Sequence, residues 1–262
     1  MFVVALRRAA RAAAVMGLVA LALSSVAVPG HADEQRVKRF GVALYAMPTN
    51  MSLHDLNDQV DFLNQFTAAQ NLAPIKRLHW SAQFGLEGRY TLSPHWTIAA
   101  GFGRIRSESK LDLLPQVGQH ILVSARVITV PQNLGLDYYL GPKTSGDFTL
   151  RPFVGGGMIR LVETKAKVGG EATLADTTFG SFSRPFGEGF GYYAEAGIHM
   201  MFPSKYSVVL NAMYRNAKTK RVFEENTHQL LFNPDGTPYE LDVSGFGLRI
   251  ALEIGLFGKP VK

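Results

Sequence analysis

The 262-residue chain contains no cysteine, only two tryptophans and just 18% charged residues. Without thiols there is no disulfide framework, no cysteine-ligated metal centre and no lipidated cysteine anchor. The low charge, set against 47% hydrophobic residues, excludes a disordered chain. Long hydrophobic runs are scarce too: one uncharged apolar stretch runs from Ala12 to Val28, preceded by Arg7, Arg8 and Arg11 and followed by Pro29-Gly30-His31-Ala32. Gly-x-Ser-x-Gly elbows, phosphate-cradling Gly-Lys-Ser/Thr loops and internal repeats beyond a hairpin rhythm are all missing.

The basic flank, the short apolar core and the small residues Gly30 and Ala32 predict a secretory signal peptide over 1–32, cut after Ala32. The alternative is an uncleaved anchor, but seventeen Ala-rich residues lie at the short end of a bilayer span. Arg7-Arg8 also forms a twin-arginine pair, a weaker export signal. Cleavage removes three of 27 basic residues and none of 21 acidic ones, so the formal charge falls from +6 to +3. The remaining Lys and Arg are scattered and form no basic face interleaved with aromatics, so nucleic acid is not an expected partner.

What dominates the mature chain is alternation with period two. Phe246, Leu248, Ile250, Leu252, Ile254 and Leu256 share one face, against Gly245, Gly247, Arg249, Ala251, Glu253 and Gly255 on the other. Residues 78–92 repeat the code, with Leu78, Trp80, Ala82, Phe84, Leu86, Gly88, Tyr90 and Leu92 facing one way. The same parity marks strands around 40–46, 96–102, 134–140, 190–202 and 208–214. A less regular strand lies at 148–162, where Gly155, Gly156 and Gly157 blur the faces. That makes eight strands, several of them ten residues or longer, which suits a tilted bilayer crossing. Connections alternate between short (93–95, 141–147, 203–206) and long (about 48–75, 104–120, 164–188 and 217–242), the layout of an outer-membrane barrel. A closed antiparallel meander is the sheet that satisfies its edges in lipid. The fold class expected is therefore all-β: an eight-stranded antiparallel up-and-down transmembrane β-barrel over 33–262. A soluble lipocalin-like barrel, with its apolar face turned inward, is the alternative that alternation alone leaves open.

Arg151-Pro152-Phe153-Val154-Gly155-Gly156-Gly157, and Leu134 to Leu140 with Tyr138-Tyr139, resemble strands of the small eight-stranded outer-membrane barrels of Gram-negative bacteria, the OmpA-transmembrane, OmpX and OmpW group. The resemblance covers the mature chain as a layout and implies residence in the outer membrane among outer-membrane lipid; a closed barrel can stand alone, so a monomer is expected. One departure is the end of the chain: family members commonly finish on an aromatic residue, whereas here Phe257 is followed by Gly258-Lys259-Pro260-Val261-Lys262.

The strand directions place Phe40, Tyr90, Trp96, Tyr138 and Phe202 near the short-turn end and Trp80, Phe190, Tyr192, Tyr214 and Phe246 near the other, as two interface girdles. The inward parity predicts a polar lumen of Glu87, Arg89, Asp137, Glu195, His199, Asn211, Arg215, Arg249 and Glu253, with Arg160 as a further candidate. An eight-stranded interior is only wide enough for side chains, so these groups form an ion-pair plug, or line a narrow path for small apolar solutes. In the first long connection, Leu53, Leu56, Val60, Leu63 and Phe66 recur at helical spacing, predicting an amphipathic helix within 52–72 capped by Ser52, with Asp55 three positions on. The expected role is structural or interactive rather than enzymatic, with neither cofactor nor metal. A lipid-modifying enzyme, the contrasting alternative, would need His79, His120 or His228 to meet Ser81, Ser124 or Glu224 at the rim.

Overall fold

Successive side chains of a strand point to opposite faces, so each alternating run can turn one face to lipid and one to the interior. The computed structural model describes residues 39–257 except 70, 115–118, 146–147 and 175–176; the signal peptide expected at 1–32 and the carboxyl-terminal tail lie outside the described residues. In chain order the elements are β1 (Phe40–Asn50), α1 (His54–Ala69), β2 (Trp80–Thr91), β3 (Trp96–Leu113), β4 (Gln119–Tyr139), β5 (Lys143–Ser145), β6 (Phe148–Leu174), β7 (Thr177–Ser183), β8 (Pro185–Met201), β9 (Tyr206–Glu224), β10 (Leu241–Asp242) and β11 (Gly245–Phe257). Eight of the strands form an antiparallel ring, β1–β2–β3–β4–β6–β8–β9–β11, closed by β11 pairing with β1 from Gly41↔Gly255 to Thr49↔Gly247. The short β5, β7 and β10 are additions to β6 and β9. Pro131, which has no N–H to donate, sits in β4 where the β4–β6 register shifts, a position a ladder tolerates.

Through the lower ring the apolar face is outward. Leu44 and Phe84 are each 62% exposed, and Leu134, Leu248 and Ile250 are comparably open, while the inward parity carries the polar groups. This arrangement inverts that of a soluble barrel and overturns the lipocalin-like alternative. Trp96 meets Tyr138 edge-on at 4.9 Å near the short turns, and Phe40, Tyr90 and Phe202 also face outward at that end. Trp80, Phe190, Tyr192, Tyr214 and Phe246 face outward at the opposite end.

Several expected long connections prove to be wall. Strands β3, β4 and β6 run to 18, 21 and 27 residues, so 104–113, 119–120 and 164–174 are strand, as are 185–188 and 217–224. At about 3.3 Å per residue β6 alone extends roughly 90 Å along its path, against an 11-residue β1. The wall is thus tall along β3 to β9 and low along β11, β1 and β2. The code also reverses with height. On β3 the outward residues change from Trp96, Ile98 and Phe102 to Arg104, Arg106 and Glu108, while the inward ones change from Thr97 to the buried Ile105. Above the lipid, water lies outside and the apolar side must turn in.

The helix spans His54–Ala69, shorter than the 52–72 expected. Its start is set by backbone anchoring rather than by a Ser52 cap: Met51, Ser52 and Leu53 donate their N–H groups to His79, Ser244 and Asp242 carbonyls at 2.8, 2.9 and 2.8 Å. Leu53 takes φ 38°, a left-handed conformation unusual for a branched apolar side chain, and accepts the first helical bond from the Asn57 N–H. Leu56 and Val60 are buried and Leu63 partly so, but Phe66 is 66% exposed and Thr67 takes the buried position instead. Leu78, expected to face outward with β2, is buried beneath the helix.

Placing a charge on the outward mid-wall separates lipid from water as the surrounding solvent. Leu44→Arg is expected to destabilise the folded barrel in bilayers by about 2–4 kcal/mol, read from urea unfolding in lipid vesicles. A neutral or stabilising effect would show that this face is wet.

Candidate functional site

The interior is a stack of buried charges roofed by an apolar cap. Its inward charged groups among the described residues are Glu87 and Arg89 on β2, Asp137 on β4, Arg151 on β6, Glu195 on β8, Arg215 on β9, and Arg249 and Glu253 on β11. Small inward residues make the room: a Cβ on Gly103 would stand 2.5 Å from the Tyr45 hydroxyl oxygen, and one on Gly41 would run into the Glu253 carboxylate. Glycine at these positions is therefore a matter of lumen volume.

Two arginines cross the middle of the lumen, with Glu87 between them. Arg89 donates to Glu87 Oε1 at 2.8 Å, Asp137 Oδ2 at 2.6 Å and the Tyr139 hydroxyl at 2.7 Å, and its Nε lies 3.4 Å from Glu253 Oε2. Arg249 donates to Glu87 Oε2 at 2.6 Å, Glu195 Oε2 at 2.9 Å and Asn211 Oδ1 at 2.7 Å. Asn211 in turn donates to Glu195. Toward the short turns, Tyr139 hydrogen bonds His199 at 3.2 Å and His199 bonds the Ser207 hydroxyl at 2.7 Å. Arg151 stacks over the Tyr139 ring at 4.6 Å and donates to the Pro94 carbonyl. Above the crossing, Arg215 donates to Gln83 Oε1 at 2.9 Å and the Val243 carbonyl at 3.0 Å, and Gln83 donates to the Tyr45 hydroxyl at 2.8 Å. A cavity of about 10 Å³, room for a single water, remains between Tyr45, Gln83, Asn133, Arg215 and Arg249.

The expected inward residues thus meet in one network except Arg215, which forms a separate cluster with Gln83 and Tyr45 above it, and Arg160, which faces outward and pairs with Glu188 at 3.0 Å. Arg151 takes the place it was given. The parity of Phe153 and Gly155 carries that signal, since Arg151 shares their odd numbering and Arg160 does not. Tyr45, Gln83, Tyr139 and Tyr193 were also absent from the expected set; their inward positions follow from the same parity test applied to polar-tipped side chains.

The cap sits on the inner side of the tall wall. Leu56 and Val60 join Ile75, Leu78, Ile105, Val123, Val127, Ala166, Val168, Tyr239 and Leu241 in one buried cluster. Asn57 pairs with both the N–H and the carbonyl of Leu78 at 2.8 and 3.1 Å, and Asn64 does the same with Ile75 at 2.9 and 3.0 Å. Each amide acts as one more peptide unit, satisfying a returning backbone that no strand covers. Asp55 accepts from the Glu240 N–H at 2.8 Å and from Asn233 at 3.0 Å, so its carboxylate ties down the last long connection rather than closing a capping box. On the solvent side, the hydrogen bond from Arg77 holds the Asp61 carboxyl below the usual carboxylate range. A lowered value adds stability above the ordinary carboxylate range and loses it as pH falls through the lowered value; exposure keeps the amount small.

The rim candidates do not converge on one another. His120 hydrogen bonds Asp112 at 2.8 Å, and Ser81 donates to the Arg106 carbonyl at 2.6 Å. His228 stands edge-on to Phe186 at 5.9 Å, and Glu224 accepts from Ser183 at 2.7 Å and from the Arg184 N–H at 2.9 Å. His79 offers its carbonyl to Met51, and Ser124 lies on β4 opposite Gly169.

Removing one partner from a buried charge network leaves the others uncompensated. Arg249→Met is expected to cost roughly 3–5 kcal/mol in urea unfolding, with part of the loss recovered when Glu87→Gln and Glu195→Gln are added. Equal stability of the single and triple variants would show that the network carries no coupling.

Solved structures to which the chain is similar include outer membrane protein OprG from Pseudomonas aeruginosa (14% identity, TM-score 0.45, 85% of this chain and 98% of that one). Neisserial surface protein A is 15% identical with TM-score 0.41, over 83% of this chain and 97% of that one. The outer membrane protease OmpT from Escherichia coli is 8% identical with TM-score 0.34, over 85% and 98%. No curated protein matches the chain. A ring of lipid-facing strands with a polar interior agrees with the family comparison: the chain belongs to the outer membrane protein beta-barrel domain family, which it matches over residues 18–251.

Proposed function

We propose that this outer-membrane barrel is a sealed, non-enzymatic scaffold, a structural or interaction protein whose task is carried by its raised outer end. The observation that carries the reading is the double closure of the lumen. Arg89 and Arg249 cross it with fully buried ion pairs, and the α1 cluster fills the mouth above them. A remaining cavity the size of one water supports closure over passage of small apolar solutes. The separate hydrogen-bond partners of His120, Ser81 and Glu224 favour a non-enzymatic role over hydrolysis or acyl transfer, which needs a nucleophile, a base and its orienting acid in mutual contact. At the outer end, Phe62 and Phe66, one turn apart on α1, are 71% and 66% exposed, which fits a surface that works by contact. The two outward aromatic sets act in this reading as anchors in the lipid headgroup layers, and the closed ring stands alone as a monomer.

The test is conductance of the folded mature chain in a planar bilayer, after a gel comparison of unboiled and boiled samples has shown the folded form. No steady current is expected; sustained open channels would overturn the sealed reading. Export completes the proposal: N-terminal sequencing of the membrane-inserted protein should begin at Asp33, and a retained Met1 would replace the cleaved leader with an anchor.

A further inference from the structure

The middle of the plug contains an arrangement that hydrogen bonding between ionised groups does not complete. Asp137 on β4, Gly155 on β6 and Glu195 on β8 stand in register as neighbours on three adjacent strands, Asp137↔Gly155 and Gly155↔Glu195. All three face the lumen, and Gly155 has no side chain to separate the other two; a Cβ there would run into Asp137 Oδ1. Each carboxyl group uses one oxygen on an arginine: Asp137 Oδ2 accepts from Arg89 and Glu195 Oε2 from Arg249. The other two oxygens, Asp137 Oδ1 and Glu195 Oε1, are completely buried and have no donor. Asp137 Oδ1 lies over the bare Gly155 backbone, on the side where β8 carries Glu195.

We infer that Asp137 and Glu195 form a proton-binding site in the lumen, holding one proton between Oδ1 of the first and Oε1 of the second. Two ionised carboxylates have only lone pairs to offer each other, and side by side in a site without water they repel. One added proton turns the contact into an O–H···O⁻ hydrogen bond and satisfies both orphaned oxygens. The surrounding charges leave room for it. Glu87 and Arg89 face the pair from β2, Arg249 and Glu253 from β11, Tyr193 from β8, Tyr139 from β4 and Asn211 from β9. In that layer four carboxyl groups surround two guanidiniums, Arg89 and Arg249. Arg151 and Arg215, the other two lumen arginines, lie toward the two ends and donate to neutral acceptors.

The native barrel then carries one proton on the pair, shared as a single O–H···O⁻ bond. The inference does not depend on the sealed-scaffold reading, because its measurement is indifferent to conductance.

The experiment is infrared spectroscopy of the full mature chain folded in detergent at neutral pH, in light and heavy water. A carbonyl stretch from a protonated carboxyl, shifting with deuterium, is expected in the native protein. Asp137→Asn and Glu195→Gln each supply a permanent N–H donor to the facing oxygen. Each should abolish the band. A native protein without the band overturns the inference, and so does a band that survives in whichever of the two variants folds. A purely structural role for the pair would leave the native spectrum without the band.

Discussion

The ladder between β1 and β11 makes the sheet a ring, and the remaining structure depends on that closure. In hydrocarbon no water is available to satisfy an open strand edge, so every backbone N–H and carbonyl along the apolar belt must find a partner in another strand. Pairing from Gly41↔Gly255 through Thr49↔Gly247 supplies the last of these partners. Closure at eight strands then determines the width of the interior, and that width determines what the inward parity can hold. The charged plug is a consequence of a narrow ring whose outer face is committed to lipid.

Within that width the interior trades backbone bulk for side-chain reach. Inward glycines at 41, 103 and 155 lie against Glu253, Tyr45 and Asp137, leaving space for long side chains to span the lumen. Arg89 and Arg249 each bridge several strands, so the network braces the ring across its diameter as well as around its circumference. Both guanidiniums find several acceptors, which spares them the cost of a buried unpaired cation. Higher up, where the wall leaves the lipid, the same period of two serves the opposite purpose. Ile105, Val123 and Val127 face inward and meet the helix, as in a small water-soluble domain built on top of a membrane-embedded one.

That change of solvent with height explains what could be read from the residues alone. The run from Gly245 to Phe257 and the one from Trp80 to Thr91 lie wholly in the belt, so their apolar parity identifies them directly. The upper halves of β3 and β6 were expected as loops because Arg104, Arg106, Glu108, Glu163 and Lys165 make them polar outside, and a polar alternating segment resembles a connection. Arg151 was hidden by the triple glycine that follows it, which removes the bulk by which faces are told apart. The helix was legible from its apolar spacing, but its start was not. Backbone bonds to residues nearly two hundred positions away place the first turn, and no local capping signal encodes them.

Those distant bonds also bear on the order in which the molecule can form. Hairpins from β2 through β9 bring together residues close in sequence, whereas the seam joins positions such as Thr49 and Phe246, 197 residues apart, and bears the largest loop-closure entropy. Met51 is tied to the β2 side of that seam, at His79, and Ser52 and Leu53 to the β11 side, at Ser244 and Asp242. The root of the helix therefore has its full set of anchors only once the two ends of the chain have met. The cap is thus a latch whose seat is built from both ends of the chain, so a substitution that opens the seam would unseat the helix as well.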